Sequence, residues 1–208
     1  MLTESDLLEL KKEELPARAA ALTAGEIAWL VDLLALKDDK IRYGAFLLLN
    51  ERARSQADVF PFWDVFAAKL GSENSYQRSI GAMLLAVNAR WDGGGKTAAA
   101  LEPYLALLDD EKPITIRQSI QGLLLIVPYH PEIAKTISER LLALNLAGQR
   151  DTMRKLILLD IVDVLLLIRE SASIDGIDSY LSGALSGDLL DTKTKKSILA
   201  RMGSSSRG

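Results

Sequence analysis

Apolar residues recur at every third or fourth position along almost the whole chain, which is the spacing of an amphipathic α-helix. Ile27, Leu30, Leu33 and Leu34 are an example. The sequence lacks the alternating β-branched runs, bounded by turns, that would indicate strands. The pattern therefore predicts an all-α protein.

Polar turns, prolines and capping residues divide this pattern into helices. Thr23 and Glu26 have the spacing of a capping box, in which each side chain bonds the other residue's backbone N–H. Pro113 suits the first position of a later helix, and Pro103 predicts a start or a kink. The main predicted helices span approximately residues 3–22 (ended or restarted at Pro16), 23–36, 40–54, 61–70, 76–91, 113–127, 132–146 and 151–170, with two shorter helices after them.

An arginine near the start of every second helix marks an internal repeat. Arg42, Arg78, Arg117 and Arg154 follow one another at intervals of 36, 39 and 37 residues. Positions −1, +3 and +7 from the arginine are mostly apolar and lie within an arc of about 80°, which we expect to face the partner helix. The small residues at +3, Ala45 and Gly81, would let helices approach closely. We expect the arginines to flank this arc and to bind turn carbonyls or a neighbouring acid.

The helix pair, the apolar–arginine start of its second helix and the apolar position three residues later resemble the HEAT/armadillo family of α-solenoids over about residues 23–170. The resemblance implies a right-handed α–α superhelix of about five stacked helix pairs. It implies a single domain over residues 1–202, with an N-terminal capping helix at 3–22 and a degraded C-terminal capping repeat at 174–202. Residues 203–208 are predicted to be a flexible tail.

The composition excludes several classes of site. Hydrophobic residues make up 49% of the chain and charged residues 25%, as in ordinary soluble proteins. The absence of cysteine excludes disulfides, thiolate metal ligands and cysteine nucleophiles, and the single histidine excludes any site that needs two. We therefore expect no metal and no cofactor.

The charge balance also bears on partners. The chain has 25 basic and 28 acidic residues, whereas proteins that grip nucleic-acid phosphates usually carry a basic excess. Only the C-terminal stretch is wholly basic, with Lys193, Lys195, Lys196, Arg201 and Arg207. Nucleic acid is therefore not the expected partner.

Membrane insertion and secretion are not expected either. The acidic start, Met1 to Asp6, is not followed by the long apolar segment of a signal peptide. The most apolar window, residues 156–168, contains Asp160 and Asp163 and is shorter than the roughly 20 residues of a membrane span. We expect a cytoplasmic location.

Three groups of residues could form a catalytic or ligand-binding site, but a structural role is favoured for each. Gly95-Lys96-Thr97 looks like the end of a phosphate-binding loop, but Arg90 stands where that loop needs glycine, so a turn is favoured. His130 lies between helices and is favoured as a surface or capping group. Asp160 and Asp163 could act as a general acid and base. The favoured interpretation is that a basic side chain of the next helix pair, for example Lys193 or Lys195, pairs with them.

The aromatic residues Trp29, Trp63 and Phe66 have core spacing, and Trp91 is expected to be a partly exposed cap over a helix end. The outward face of the fourth repeat is mostly apolar. We expect the last helix pair to cover it, with a second chain or a ligand as the alternative. That face consists of Lys155, Leu159, Val162, Asp163 and Leu166.

The function expected from this architecture is that of a non-catalytic scaffold or adaptor that binds a protein or peptide on its concave face. Tyrosine and arginine carry much of the binding energy of interfaces. The candidate contacts on the outward offsets of the second helices are Tyr43, Asn50, Arg54, Arg90 and Tyr129. The alternatives are a helical-repeat DNA-modifying enzyme of the alkylpurine DNA glycosylase type and a lyase or chaperone that cradles a cofactor.

Overall fold

The computed structural model describes residues 2–204, and all regular elements in that range are helical. The α-helices are α1 (Glu4–Leu8), α2 (Leu15–Ala20), α3 (Ala24–Leu33), α4 (Asp39–Ala53), α5 (Trp63–Ala68), α6 (Ser75–Asn88), α7 (Lys96–Ala99), α8 (Leu101–Ala106), α9 (Pro113–Ile126), α10 (Ala134–Leu142), α11 (Asp151–Ser171), α12 (Ile177–Ser186) and α13 (Thr192–Ser204). The all-α prediction is confirmed.

Several predicted boundaries are confirmed, and four differ. Thr23 and Glu26 form the predicted capping box of α3, and Pro113 is the first residue of α9. The helix predicted at 3–22 is divided into α1, which ends at Leu8, and α2, which begins at Leu15 beside Pro16. The helix predicted at 61–70 is divided, because Pro61 has no N–H to donate and lies in a 3₁₀ segment (Ala57–Phe62) before α5. The helix predicted to run to residue 146 ends at Leu142. Of the predicted tail, residues 203 and 204 continue α13, and residues 205–208 lie outside the described residues.

The chain divides within α8, between Tyr104 and Leu105, into two compact units. In the first unit, α3 packs on α4, α5 packs on α6, and α4 and α6 pack on each other. The helices α1 and α2 both pack against α4. The first unit therefore consists of two helix pairs joined through their second helices, with two short N-terminal helices against the first pair.

In the second unit, as in the first, the helices that carry a repeat arginine pack on each other. Helix α11 packs on α9, and α10 packs on α11. Helix α12 packs on both α10 and α11. The 21-residue α11 is therefore the central element of this unit.

The four repeat arginines hold corresponding places, as predicted. Arg42, Arg78 and Arg154 are each the fourth residue of their helix, and Arg117 is the fifth residue of α9. The arc predicted beside them is largely buried. All four residues at +3 are buried, whereas Leu124 at +7 and both Gln77 and Met153 at −1 are only half-buried.

Glycine allows close helix contact in the first unit. A Cβ added to Gly81 of α6 would lie 2.7 Å from the Phe66 carbonyl oxygen and 2.8 Å from the Lys69 Cβ. A Cβ added to Gly44 of α4 would lie 3.0 Å from the Leu7 Cβ of α1. The backbone of α6 therefore packs against the end of α5 at a distance that only glycine permits.

The predicted aromatic core is confirmed in part. Trp63 and Phe66 are buried, but Trp29 is half-buried. Trp29 lies about 100° around α3 from Leu30, at the edge of the helix's buried stripe rather than within it.

The outward face of α11 is partly buried, with Leu159 half-buried, and its polar residues bind the last segment of the chain. Val162 and Leu166 are buried, while Lys155 Nζ lies 2.6 Å from Asp191 Oδ2 and Asp163 Oδ1 lies 2.5 Å from Arg201 Nη1. Both polar members of this face therefore bind the last helix or the residue before it, as expected.

The Glu26 carboxylate supports a pH prediction. It accepts hydrogen bonds from the Thr23 backbone, the Leu2 backbone and the Thr23 hydroxyl, and these lower the pKa of Glu26 from 4.5 to about 2. A carboxylate whose pKa is lower in the folded state stabilises the fold above its unfolded pKa, and that stability is lost as the pH falls. We expect the stability difference between the wild type and Glu26→Gln to shrink as the pH falls from about 4.5 to about 2. Urea unfolding across this range measures it, and an NMR titration midpoint for Glu26 near 4.5 would contradict it.

Candidate functional site

Three of the four repeat arginines bind carbonyl oxygens of the turn before their own helix. Arg42 Nη1 donates to the Leu36 carbonyl at 2.8 Å, Arg78 Nη1 to the Ser72 carbonyl at 2.8 Å, and Arg154 Nη2 to the Ala147 carbonyl at 2.7 Å. These side chains close the interhelical turns, as predicted. Their guanidinium groups therefore have a structural role.

Arg117 binds a neighbouring acid instead. Its Nε and Nη2 lie 2.6 Å and 3.2 Å from the two carboxylate oxygens of Asp160 in α11, and Gln121 Nε2 donates to Asp160 Oδ1 at 2.9 Å. The expected pairing with a basic side chain of the last helix pair holds for Asp163, whose partner is Arg201 rather than Lys193 or Lys195, and is wrong for Asp160. Asp160 binds Arg117 of the preceding repeat, and Asp163 binds Arg201, because the two carboxylates project from different faces of α11.

A cleft of about 500 Å³ lies where α4 and α6 begin. The turn before α4 forms one side of the cleft and includes Leu36, whose carbonyl binds Arg42. The first turn of α6 forms the other side with Tyr76 and Gln77. Asp38 and Asn74 cap these two helices by accepting backbone N–H groups. The two caps and the contact between the helices therefore fix both walls of the cleft.

Arg42 and Tyr76 both line the cleft and contact each other. The buried guanidinium of Arg42, which also pairs with Asp39, lies 5.7 Å from the centre of the Tyr76 ring. Gln77 donates to the Leu34 carbonyl at 2.7 Å and accepts from Lys69 Nζ at 2.5 Å. Burial and the charge of Arg42 lower the pKa of Lys69. Tyr76 is 64% exposed although the Arg42 guanidinium contacts its ring.

The predicted contact residues of α4 lie along one side of that helix. Tyr43 is 61% exposed and stacks against Phe46 with the ring centres 6.1 Å apart. Asn50 is half-buried, and the exposed Arg54 pairs with Glu51 at 3.4 Å. Tyr43 is therefore at the cleft end of α4, whereas Arg54 is at the opposite end.

Arg90 joins Arg54 and Trp91 at the C-terminal end of α4. The Arg90 guanidinium donates to the Arg54 carbonyl and lies 5.0 Å from the centre of the Trp91 ring. The Trp91 indole N–H donates to the Ala53 carbonyl at 2.7 Å. Trp91 is half-exposed and caps a helix end, as expected, but the helix that it caps is α4. Arg90 contributes to the same cap.

The remaining predicted contact, Tyr129, belongs to the second unit, where it is 48% exposed in the turn after α9. His130 follows it and is 6% exposed, not a surface group. The His130 backbone N–H donates to the Ile126 and Val127 carbonyls, so the turn folds back and buries the ring. His130 Nδ1 lies 3.1 Å from Glu132 Oε1.

The Gly93–Gly95 tract forms a closed turn. Asp92 accepts hydrogen bonds from the backbone of Gly94 at 2.9 Å and of Thr97 at 2.6 Å, and Gly95 has a φ of +81°. Burial opposes ionisation of Asp92, but these hydrogen bonds lower its pKa overall. Lys96 pairs with Asp64 at 2.9 Å. The Asp92 carboxylate therefore already binds backbone N–H groups that a phosphate-binding loop would offer to a phosphate.

Sequence reasoning did not single out Tyr76, which lines the cleft. Two residues before the arginine, the other repeats carry Lys40, Thr115 and Thr152, so a large aromatic residue at this position is unusual in this chain. The tyrosine therefore departs from the repeat pattern, and this departure is the sequence signal that could have drawn attention to it.

Residues 2–204 contain neither a cluster of metal ligands nor a membrane-spanning helix. No cluster of three or more histidine, cysteine, aspartate or glutamate side chains there could hold a metal ion. None of the helices in this range is both long enough and apolar enough to cross a bilayer.

Comparison with known proteins gives no family. No family model and no curated protein matches the chain. Among solved structures, the crystal structure of an engineered protein is similar to this chain at 17% sequence identity, covering 100% of both chains with a TM-score of 0.49.

Proposed function

We propose that this protein is a non-catalytic binding module that takes a segment of a partner protein at the start of α4 and α6. The fold proposed for it is a HEAT-like, right-handed solenoid of about five helix pairs, and the proposed location is the cytoplasm. The binding surface is the cleft together with the exposed tyrosines Tyr43 and Tyr76, which we call the tyrosine surface.

One observation carries this proposal: two tyrosines are more than 60% exposed near the same end of two adjacent helices, and one of them, Tyr76, lines the cleft there. Tyrosine offers a large, rigid contact area and a hydroxyl that can form a directed hydrogen bond, and it is enriched among residues that dominate binding energy. The Arg42 contact and the Phe46 stacking hold these rings, so little side-chain entropy is lost on binding.

The bound groups of the cleft support binding rather than catalysis. Arg42, Gln77 and Lys69 are engaged with carbonyl, carboxylate or amide partners. Asp160 and Asp163, the carboxylates considered for acid–base chemistry, are each paired with an arginine. The groups at the cleft therefore present a fixed surface to a partner, and the two carboxylates of α11 are held in ion pairs.

The double variant Tyr43→Ala/Tyr76→Ala is expected to weaken partner binding by about 2 kcal/mol or more, because truncation removes two aromatic contacts. The first step is affinity capture from native lysate with mass spectrometry, comparing the wild type with the double variant. The affinity for the captured protein is then measured by fluorescence anisotropy with purified components.

The matched control is Val65→Ala, which shortens a side chain that is 44% exposed on α5 in the same unit. It should bind like the wild type, and all three proteins should share the same melting temperature. Equal affinity of the double variant and the wild type for the captured protein would refute the tyrosine surface. Arg54, Arg90 and Tyr129 would then be the remaining candidate contact residues.

A further inference from the structure

The last helix, α13, differs in charge from the rest of the molecule. Thr192–Ser204 contains four basic residues and no acidic residue. Since the whole chain carries −3, the remainder carries −7. Helix α13 is therefore a net positive segment of a chain whose remainder is net negative.

Only one of these four basic residues holds the helix in place. Arg201 pairs with Asp163, Ile198 is buried, and the Met202 carbonyl accepts from Arg169 at 3.1 Å. Asp191, just before the helix, accepts from Lys155 and from the Thr194 backbone, and these bonds lower its pKa. These contacts account for the attachment of α13 without Lys193, Lys195 or Lys196.

The three lysines form no ion pair and no side-chain hydrogen bond with other residues in the range 2–204. Lys193 and Lys196 are exposed and Lys195 is half-buried. Leu199 is 55% exposed and lies one turn after Lys195 and Lys196. We call these four residues the basic face of α13.

The position of the lysines opposes helix stability. They occupy the first turns of α13, where the N–H groups give the helix dipole its positive end and where acidic residues are favoured. Lysines that repel this end and bind no acid within the described chain weaken the helix locally. Residues that lower stability and make no stabilising contact of their own are typical of a functional surface.

From these observations we propose that the basic face of α13 is a docking site for an acidic segment of a partner protein. The three ammonium groups and the helix dipole attract carboxylates, and Leu199 offers an apolar contact between them. A short segment would lie on α13 alone. A membrane or a long nucleic acid would also meet the surrounding negative charge, and one exposed leucine is a small apolar area for a membrane-bound helix. This surface is independent of the tyrosine surface.

The experiment uses the full chain and a fluorescein-labelled peptide of repeated Glu-Glu-Leu units, with a Lys-Lys-Leu peptide as the specificity control. We expect the wild type to bind the acidic peptide at about 50 mM salt and to release it near 500 mM. The variant K193E/K195E/K196E should bind at least about tenfold more weakly while its melting temperature stays equal or rises. K193Q/K195Q/K196Q should show the same loss without reversed charge.

The matched control is K11E/K12E/K40E, which changes the net charge by the same amount at exposed lysines outside α13. Its affinity should stay within about twofold of the wild type if local charge decides binding. Equal losses in both charge-reversal variants, no binding by the wild type at low salt, or a lower melting temperature in both α13 variants would overturn the proposal. So would tighter binding of the wild type to phosphatidylserine vesicles or to a single-stranded oligonucleotide than to the peptide.

Discussion

Replacing Asp160 with alanine is expected to lower the free energy of unfolding by about 3 kcal/mol. The Asp160 side chain is 9% exposed and that of Arg117 is 23% exposed, so the pair is largely withdrawn from water. Without the carboxylate, the guanidinium of Arg117 and the amide of Gln121 both lose their acceptor in α11. A partly buried cation without a partner costs more free energy than the ion pair itself contributes.

Asp163→Ala is the matched control for this change, because it removes a carboxylate three residues later on the same helix. Its ion pair with Arg201 is nearly half exposed on both sides, so its loss should cost less than about 1 kcal/mol. Urea unfolding followed by circular dichroism measures both variants. A loss in Asp160→Ala no larger than in Asp163→Ala would contradict a dominant role for the buried pair.

Much of the fold could be predicted because its determinants are local in sequence. The 3.6-residue periodicity predicts the helices, and capping residues such as Thr23 and Pro113 set their starts. The turn contacts of Arg42, Arg78 and Arg154 are also local, since each arginine reaches a carbonyl five to seven residues earlier. Repetition of one arginine position therefore predicts a repeated turn.

The partners of Asp160 could not be predicted because they are distant in sequence. Arg117 and Gln121 lie 43 and 39 residues before Asp160, and the rotation of α11 against α9 decides which carboxylate they meet. Helical periodicity places Asp160 and Asp163 on neighbouring faces but does not say which helix each face meets. A basic partner from the following helix pair was therefore the correct expectation for Asp163, which binds Arg201, and the wrong one for Asp160.

The candidate site was predictable only in part for a similar reason. Tyr43 is exposed because it lies opposite the apolar arc of α4, and periodicity alone shows this. Tyr76 completes the surface only because α4 and α6 begin side by side, which brings Arg42 against its ring. The Arg90 cap on α4 likewise depends on the contact between two helices 36 residues apart in sequence. Such lateral contacts require the structure.

The contact between α5 and α6 leads to a second large expected effect: Gly81→Ala should destabilise the protein by roughly 2–3 kcal/mol. The new methyl carbon would lie 2.7 Å from the Phe66 carbonyl oxygen and 2.8 Å from the Lys69 Cβ, so α5 and α6 must move apart. In an unobstructed helix, the same substitution stabilises by up to about 1 kcal/mol because alanine loses less backbone entropy than glycine. The steric cost must therefore exceed this gain for the variant to be less stable.

Gly183→Ala in α12 separates these two terms, because a Cβ there would meet no atom within 4 Å. It should raise the free energy of unfolding while Gly81→Ala lowers it, and both changes are read from urea unfolding at one pH. Opposite signs for one chemical substitution would show that the close approach of α6 to α5 determines the effect. A Gly81→Ala protein as stable as the wild type would mean that the two helices can separate at little cost. The residue at +3 would then not need to be glycine in this repeat.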